Sequence, residues 1–217
     1  MIPFRTEAEI AKAIPDVVLH LVRSGLMAYP TETVYGLGSA ASKEAVTRLS
    51  ALKGREPGKP FLLLVSDLGM LTGVGLRLTD AAHRFAAAFW PGALTMVLPG
   101  GEGVLPDLLR GPEGGIAVRW TSHRGVAQLI RTLGSPVTST SANKPRHPPA
   151  LDAGVVAADF DAAIKRHDLI VLDAGRLTPS PPSTLVDCTG SFPRVIRVGA
   201  IAPEALRAIV PSLVGAA

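Results

Sequence analysis

Four short segments of the chain concentrate hydroxyl, amide and cationic side chains that a purely structural segment does not need. Hydroxyl groups both donate and accept hydrogen bonds, and lysine and arginine bring positive charge, so the combination suits a polar, negatively charged ligand. Small residues among them allow a ligand to approach the backbone closely. The segments are residues 29–38, 53–55, 136–143, and 182–187 together with Arg197.

Each segment alone also has an ordinary structural explanation. Lys53 and Arg55, for example, follow a predicted helix, where a cation stabilises the helix dipole by about 0.3–1 kcal/mol. Two of the segments, however, continue from buried strands, and α/β proteins bind ligands at the carboxyl edge of the sheet. Arg119 follows the predicted strand 116–118 and adds a planar guanidinium suited to a carboxylate or phosphate. The residues therefore predict a site for an anionic, polar ligand.

These residues must be positioned by helices and strands, and signals for both alternate along the chain. Thr6 and Glu9 form a capping box for a first helix, which Pro15 is expected to kink or divide and Gly25 to end. Later helices are expected to begin at Ser42, Thr79, Ser122 and Pro203, with Gly54 and Gly134 ending two of them. Strands are expected at 26–29, 61–65, 93–98, 115–119, 136–139, 169–172, 183–187 and 194–198, with 31–38 as a polar loop. Because many strands are apolar on both faces, we expect one α/β domain over residues 1–217 with a mixed sheet.

Composition narrows the class of protein. The 217 residues carry a net charge of +4, which allows anionic partners, but aromatic residues are only 5% and supply few platforms for stacking nucleic-acid bases. The mean hydropathy is +0.31, yet apolar runs such as 61–65 are far shorter than the ~20 residues that span a bilayer. The single cysteine, Cys188, excludes an internal disulfide framework. We expect a cytoplasmic protein.

Several well-known sequence motifs are matched only in part or lie in the wrong structural context, and we reject them. Gly36, Gly38 and Ala41 match a dinucleotide fingerprint by letters, but too many residues separate Gly36 from the preceding strand. Residues 54–60 are one residue short of a phosphate-binding loop and end in proline instead of serine or threonine. The sequence contains no G-x-S-x-G elbow, and no two histidines have the spacing of metal ligands on a helix. No protein side-chain metal site is therefore predicted.

At these same residues the sequence resembles the YrdC-like threonylcarbamoyl-AMP synthases. The resemblance covers approximately residues 7–201 and is specific because the order and spacing of several motifs agree. The motifs are the loop 29–38, Lys53-x-Arg55, Trp90-Pro-Gly92, Ile116-Ala-Val-Arg119, Ser141-x-Asn143, Ser183-Thr-Leu-Val-Asp187 and Arg197-Val-Gly199. The resemblance implies a single-domain, open, twisted mixed sheet flanked by helices around a central positively charged cavity.

The resemblance also implies a reaction. L-Threonine, bicarbonate (or CO₂) and ATP would give L-threonylcarbamoyl-adenylate and pyrophosphate, and a downstream enzyme would transfer the threonylcarbamoyl group to a tRNA adenosine. The amine of threonine attacks CO₂, and the carbamate oxygen then displaces pyrophosphate at the α-phosphorus. Because the reactants bring their own nucleophiles, positioning and charge stabilisation would carry most of the catalysis. Mg²⁺ is expected to enter with ATP.

Residue roles follow from the resemblance. Lys53 and Arg55 would be the catalytic cations. The expected ATP-binding residues are Lys53, Ser141, Asn143 and Arg197, with Asn143 orienting the phosphate loop. The expected threonine- and carbamate-binding residues are Thr33, Arg55, Arg119, Ser139 and Ser183.

The sequence departs from the family pattern in places. Glu56 stands before Pro57 where members often have proline directly after Lys-x-Arg, Leu64 replaces a histidine of some members, and residues 144–149 replace the usual Ser-Gly. Two other functions stay open. One is a YrdC-like RNA-binding paralogue without synthase activity, and the other is a carbamoyl-transfer domain of the hydrogenase-maturation type.

Overall fold

The computed structural model describes residues 1–55 and 59–215, in which ten strands, eight α-helices and one 3₁₀ turn are present. The strands are β1 (Ile2–Pro3), β2 (Leu26–Tyr29), β3 (Gly36–Ser39), β4 (Leu62–Val65), β5 (Leu94–Leu98), β6 (Ile116–Trp120), β7 (Val137–Ser141), β8 (Leu169–Asp173), β9 (Thr184–Asp187) and β10 (Arg194–Arg197). The helices are α1 (Glu7–Val22), α2 (Lys43–Lys53), α3 (Gly69–Gly73), α4 (Asp80–Phe89), α5 (Arg124–Leu133), α6 (Ala153–Asp159), α7 (Asp161–Lys165) and α8 (Pro203–Ile209), and the 3₁₀ turn is Asp107–Leu109.

All ten strands of the described chain belong to one twisted, mixed sheet in the order β1-β8-β2-β3-β7-β4-β6-β5-β9-β10. The pairs β1–β8, β2–β8, β4–β6 and β5–β9 are parallel, and the other neighbours are antiparallel. The predicted mixed α/β sheet is therefore confirmed. Because the order interleaves early and late strands, it brings the ends of β3, β7, β6 and β9 close together from distant parts of the sequence.

The sheet buries apolar residues on both faces. Along β2, Leu26 and Ala28 belong to one core cluster, whereas Met27 and Tyr29 belong to a second cluster with α1 and α5. Successive side chains of a strand point to opposite faces, so this alternation shows that helices cover the sheet on both sides. The same alternation occurs in β4, where Leu64 faces the second cluster. Doubly covered strands explain the continuous apolar runs of the sequence.

Local capping signals place most of the helices. The Thr6 hydroxyl accepts from the backbone N–H of Glu9, and the carboxylate of Glu9 accepts from the N–H of Thr6, which confirms the capping box of α1. Ser42 caps α2, and Gly54 ends that helix in the left-handed conformation with φ of 56°. Thr79 caps α4 as expected.

Two expectations about local structure were wrong, and one of the two alternatives for Pro15 is excluded. The left-handed residue after α1 is Ser24 (φ 60°), not Gly25, whose N–H instead bonds the carbonyl of His20 at 2.9 Å. Helix α1 runs through Pro15 from Glu7 to Val22, so Pro15 does not divide it. His123 rather than Ser122 caps α5, because its Nδ1 accepts from the N–H of Val126 at 3.3 Å.

Strand β3 lies inside the segment expected to be a polar loop. Its sequence, Gly-Leu-Gly-Ser, has little intrinsic strand preference, so its conformation comes from pairing with β2 on one side and β7 on the other. The short elements β1, α3, α6 and α7 also carried no sequence signal strong enough to predict them. In the part of the chain described, no helix combines the length and apolar character needed to cross a membrane.

Gly38 of β3 permits the close contact between the two central strands. A Cβ atom at Gly38 would lie 2.1 Å from the carbonyl oxygen of Thr138 and 2.8 Å from the ring of Tyr29, which is fully buried. Neither neighbour is free to withdraw, because Tyr29 donates its own hydroxyl hydrogen bond to that Thr138 oxygen at 3.1 Å. Only glycine fits at this position.

We therefore expect Gly38→Ala to lower the free energy of unfolding by about 3 kcal/mol, which is the cost of an overpacked core. Urea unfolding followed by circular dichroism measures this change. Gly73→Ala is the matched control, because a Cβ there would meet nothing within 4 Å, and its effect is expected to stay within about 0.5 kcal/mol. Equal stabilities of the two variants would contradict the close-contact argument.

Candidate functional site

A cavity of about 1210 Å³ is lined by residues of β3, β7, β4, β6, β5, β9 and β10, and by the loop that follows β2. Seven of the nine residues predicted to bind ligand line it within the described chain, whereas Lys53 and Asn143 do not. The seven are Thr33, Arg55, Arg119, Ser139, Ser141, Ser183 and Arg197. Residues up to more than 160 positions apart in the sequence thus line one cavity.

The loop after β2 is held by hydroxyl hydrogen bonds. The Oγ1 of Thr31 donates to the carbonyl of Val34 at 2.7 Å and accepts from the N–H groups of Thr33 and Val34. The Oγ1 atoms of Thr31 and Thr33 lie 3.1 Å apart. Tyr35 anchors the end of the loop by donating to the carbonyl of Gly175 at 2.7 Å. These contacts fix Thr33, which is almost fully buried, on the cavity wall.

Arg55 is fixed by neutral groups. Its Nη1 donates to the hydroxyl of Thr140 at 2.9 Å, its Nη2 and Nε donate to the carbonyls of Pro60 and Lys59, and its guanidinium lies over the ring of Phe61. None of these side-chain contacts is to a carbonyl of α2, so they do not support the explanation of Arg55 as a helix-dipole cap. Burial lowers the pKa of Arg55. An anion in the cavity would relieve that cost by restoring a charge partner.

Arg119 is the most deeply buried of the cavity arginines, with 3% of its surface exposed. Its Nε lies 3.5 Å from Oε1 of Glu32, and neither atom has a hydrogen bond. The other carboxylate oxygen of Glu32 accepts from the Thr121 hydroxyl at 2.9 Å. Arg119 thus lines the cavity as a buried cation with one loosely placed carboxylate beside it.

Arg197 and Ser183 form a third polar group on the wall. The Nη2 of Arg197 donates to the carbonyl of Ser183 at 2.9 Å, and the Ser183 hydroxyl lies 2.8 Å from Oγ1 of Thr95. Burial, together with the nearby charge of Arg119, lowers the pKa of Arg197. The two arginines therefore repel each other, and an anion near both would relieve this repulsion.

Lys53 and Asn143 support the cavity from behind its wall. The Nζ of Lys53 donates to the carbonyl of Ser141 at 2.8 Å, to Oδ1 of Asn143 at 2.7 Å and to the carbonyl of Asn143. Asn143 also accepts from the Ser141 hydroxyl at 2.6 Å and donates to the carbonyls of Lys144 and His147. All three ammonium hydrogens have acceptors within the chain, so Lys53 ties the end of α2 to the turn after β7. Its expected contact with ATP stays a prediction.

The acidic residues that line the cavity are paired with one arginine. Arg194 donates to Glu113 at 3.0 Å and lies 3.5 Å from Asp187. Within the described residues, the cavity lining thus contains five cationic side chains and two carboxylates, and both carboxylates contact the same cation. Glu56, the acidic departure from the family pattern, lies outside the described residues.

Sequence reasoning assigned no role to three residues that the structure places in or beside the site. Glu32 contacts Arg119, Thr140 holds Arg55, and Thr95 pairs with Ser183. Glu32 and Thr140 lie inside the segments singled out for their polar residues, so their positions were marked but their partners were not. Thr95 sits in an apolar strand and carried no signal. Only the tertiary pairing of strands reveals these contacts.

The mixed α/β sheet carries a cavity whose described lining is rich in hydroxyl groups and cationic side chains. A family model described as "Telomere recombination", for Sua5, YciO and YrdC proteins, matches residues 20–199. The chain belongs to this Sua5/YciO/YrdC family.

Curated relatives carry one functional name. The threonylcarbamoyl-AMP synthase of Thiobacillus denitrificans is 38% identical over 184 residues, which cover 84% of this chain and 95% of the relative. The threonylcarbamoyl-AMP synthase of Pyrococcus abyssi is 34% identical over 191 residues, which cover 87% of this chain and 55% of the relative. The chain therefore spans about half the length of the Pyrococcus relative. The similarity of this chain to these enzymes supports its assignment as a nucleotidyltransferase-type enzyme.

Solved structures agree with the fold. The crystal structure of P. abyssi Sua5 complexed with L-threonine superposes with a TM-score of 0.87 at 31% identity, covering 97% of this chain and 61% of that chain. The crystal structure of E. coli YciO superposes with a TM-score of 0.80 at 26% identity, covering 94% of this chain and 97% of that chain.

The lowered pKa of Lys53 can be tested through the pH dependence of protein stability. Burial and the nearby charge of Arg55 lower the pKa of Lys53 from 10.5 to about 8, so the folded protein holds fewer protons than the unfolded chain between these values. Stability that depends on Lys53 must then rise as pH increases from about 8 to 10.5, and fall as pH returns towards 8. We expect the free energy of unfolding of the wild type to increase relative to that of Lys53→Met over this window.

The matched control for this pH test is Lys165→Met. Lys165 is an exposed lysine whose pKa is raised above 10.5 by a hydrogen bond and ion pair with Asp161, so its contribution should stay nearly constant from pH 8 to 10.5 and fall only at higher pH. Urea unfolding at several pH values measures both differences. A wild-type advantage over Lys53→Met that does not change with pH would contradict the assignment of a depressed pKa to Lys53.

Proposed function

We propose that this protein makes L-threonylcarbamoyl-adenylate and pyrophosphate from L-threonine, bicarbonate (or CO₂) and ATP. The observation that carries the proposal is the set of three guanidiniums that line one cavity, those of the buried Arg119, the half-buried Arg55 and the more exposed Arg197. Arg55 and Arg197 have only neutral hydrogen-bond partners among the described residues, and Arg119 has one loosely placed carboxylate. Substrates that bring a carboxylate and a triphosphate would supply the missing negative charge.

The lining suits a reaction in which the substrates react with one another. Serine and threonine hydroxyls line the cavity, whereas no described histidine or cysteine does. Cys188 is buried elsewhere, and burial raises its pKa to about 12, which keeps it an inert thiol. The threonine amine would attack CO₂, and the carbamate oxygen would then attack the α-phosphorus of ATP and expel pyrophosphate. The protein would contribute orientation and charge stabilisation.

The two charged substrates would bind to different residues of the cavity lining. Arg119 and Arg55 would bind the carboxylate of threonine or of its carbamate, with Thr33, Ser139 and Ser183 supplying hydrogen bonds around the amino acid. Arg197 and Ser141 would bind the phosphates, and Arg55 is also the cation expected to stabilise the charge that develops during transfer. Lys53 and Asn143 would act on the nucleotide by holding the turn that carries Ser141.

Magnesium would accompany ATP as part of the substrate. Among residues 1–55 and 59–215, no group of three histidine, cysteine or acidic side chains is arranged to hold a metal ion. Phosphate oxygens are preferred ligands of Mg²⁺, so the nucleotide itself would provide most of the coordination. We further propose that a downstream enzyme uses the adenylate to modify tRNA in the cytoplasm.

The decisive measurement is release of pyrophosphate from ATP. We expect release to require both L-threonine and bicarbonate, and Arg55→Ala to reduce its rate at least about a hundredfold, as loss of a transition-state charge contact does. Circular dichroism must show that the variant stays folded. Arg48→Ala is the control, because Arg48 lies on α2 but pairs with Asp168 outside the cavity. Release that ignores threonine or bicarbonate would contradict the synthase function.

The alternative is an RNA-binding paralogue without synthase activity. It predicts tRNA binding in the absence of ATP that weakens steeply with salt, because phosphate contacts release counterions. Filter binding at several salt concentrations tests it. Strong, salt-sensitive binding without pyrophosphate release would favour this alternative, whereas weak binding together with threonine-dependent release favours the synthase.

A further inference from the structure

The ion pair between Arg119 and Glu32 differs from an ordinary salt bridge. The Nε of Arg119 and Oε1 of Glu32 are 3.5 Å apart, are both buried, and make no hydrogen bond. The side chains are 4% and 16% exposed, so the attraction acts with little screening by water. The carboxylate approaches Arg119 from its Nε side, and the terminal nitrogens form no hydrogen bond with the described residues. They are left for a ligand in the cavity that Arg119 lines.

Glu32 is itself fixed from the side away from Arg119. Its Oε2 accepts from the hydroxyl of Thr121 at 2.9 Å, and the oxygen of that hydroxyl accepts from the N–H of His123 at 3.2 Å. His123 is the cap of α5, so the chain of contacts ends at the positively polarised N-terminus of a ten-residue helix. The hydroxyl of Thr121 has one hydrogen to donate, and its donation to Glu32 sets the carboxylate's orientation.

We propose that Glu32, oriented by Thr121, is a positioning residue that sets the affinity of the site for the carboxylate of the amino-acid substrate. Glu32 holds the Nε edge of Arg119, so that the two terminal nitrogens face the cavity as a fork for a carboxylate. Without Glu32, the guanidinium would lose the carboxylate that pairs with it and could turn away from the ligand. This inference rests on the proposed function, because it takes the ligand of Arg119 to be the carboxylate of threonine.

A purely structural role for Glu32 makes a different prediction. If Glu32 only compensated a buried charge, its loss would destabilise the fold and weaken every ligand alike. If it positions Arg119, its loss must weaken ligands that carry a carboxylate and spare those that lack one. L-Threonine and L-threoninamide provide this comparison, because the amide keeps the side chain and the amine but replaces the carboxylate with a neutral group.

The experiment measures binding of both ligands by calorimetry to the wild type and to Glu32→Gln, which keeps the size of the side chain and removes its charge. We expect the wild type to bind threonine at least about tenfold more tightly than threoninamide, as loss of a charge-assisted hydrogen bond implies. Glu32→Gln is expected to weaken threonine about tenfold and to leave threoninamide and the KM for ATP unchanged. Thr121→Val, which keeps both charges, is expected to weaken threonine about threefold.

Glu102→Gln is the matched control. The exposed Glu102 lies 3.6 Å from the largely buried Arg110, and neither residue lines the cavity, so the same chemical change in an ion pair away from the cavity should leave threonine binding unaltered. Equal weakening of threonine and threoninamide by Glu32→Gln, or unchanged threonine affinity in a folded Glu32→Gln protein, would overturn the positioning role. If Glu32→Gln does not fold, Thr121→Val decides alone, and unchanged threonine affinity in it overturns the proposal.

The wild-type measurement separates this inference from the proposed function. A wild type that binds threonine no better than threoninamide would overturn both, because no carboxylate would then be recognised. A wild type that prefers threonine, combined with a Glu32→Gln variant that keeps the preference, would overturn only the role of Glu32.

Discussion

Concentrated positive charge on one wall of a cavity is the constraint on which the site depends. Arg55 follows α2, Arg119 lies in β6 and Arg197 in β10, and burial lowers the pKa of Arg55 and of Arg197. Such an arrangement costs free energy, because burial removes hydration from the cations and because Arg119 and Arg197 repel each other. Among the described residues, Arg55 and Arg197 contact no carboxylate and Arg119 contacts one, so the fold holds this charge in place without fully neutralising it. An anionic substrate of the proposed kind would recover that cost on binding, as in an electrostatically prepared site.

Neutral groups hold Arg55 and Arg197 in place, and one carboxylate, that of Glu32, lies beside Arg119. Thr140 and main-chain carbonyls fix Arg55. Ser183 fixes Arg197 in the same way. A carbonyl or hydroxyl directs a guanidinium without cancelling its charge, so orientation and charge are controlled separately. Arg194 pairs with both acidic residues of the lining, Glu113 and Asp187. This pairing holds the two carboxylates at the end of the cavity formed by β9 and β10.

Sequence reasoning predicted what local chemistry determines. The capping box at Thr6, the cap at Ser42 and the left-handed Gly54 were predictable because each depends on a few neighbouring residues. Seven of the nine predicted ligand-binding residues of the described chain line one cavity, because the polar segments continue from strands that a single sheet brings together. Strand β3 was missed because its glycines favour no conformation, and its pairing with β2 and β7 decides its structure. Glu32 lay inside a recognised segment, but its partner Arg119 is 87 positions further along the chain, beyond the reach of any spacing rule.

Lys53 shows why the type and position of a residue do not settle its role. The sequence places a cation after a helix and next to Arg55, which suggests a direct contact with phosphate. In the structure its three donors are directed to Ser141 and Asn143, so a phosphate would have to displace one of these acceptors to reach the ammonium directly. The turn after β7 presents the Ser141 hydroxyl to the cavity, and Lys53 and Asn143 fix that turn from behind. Lys53 therefore acts on the cavity through the turn that it holds in place.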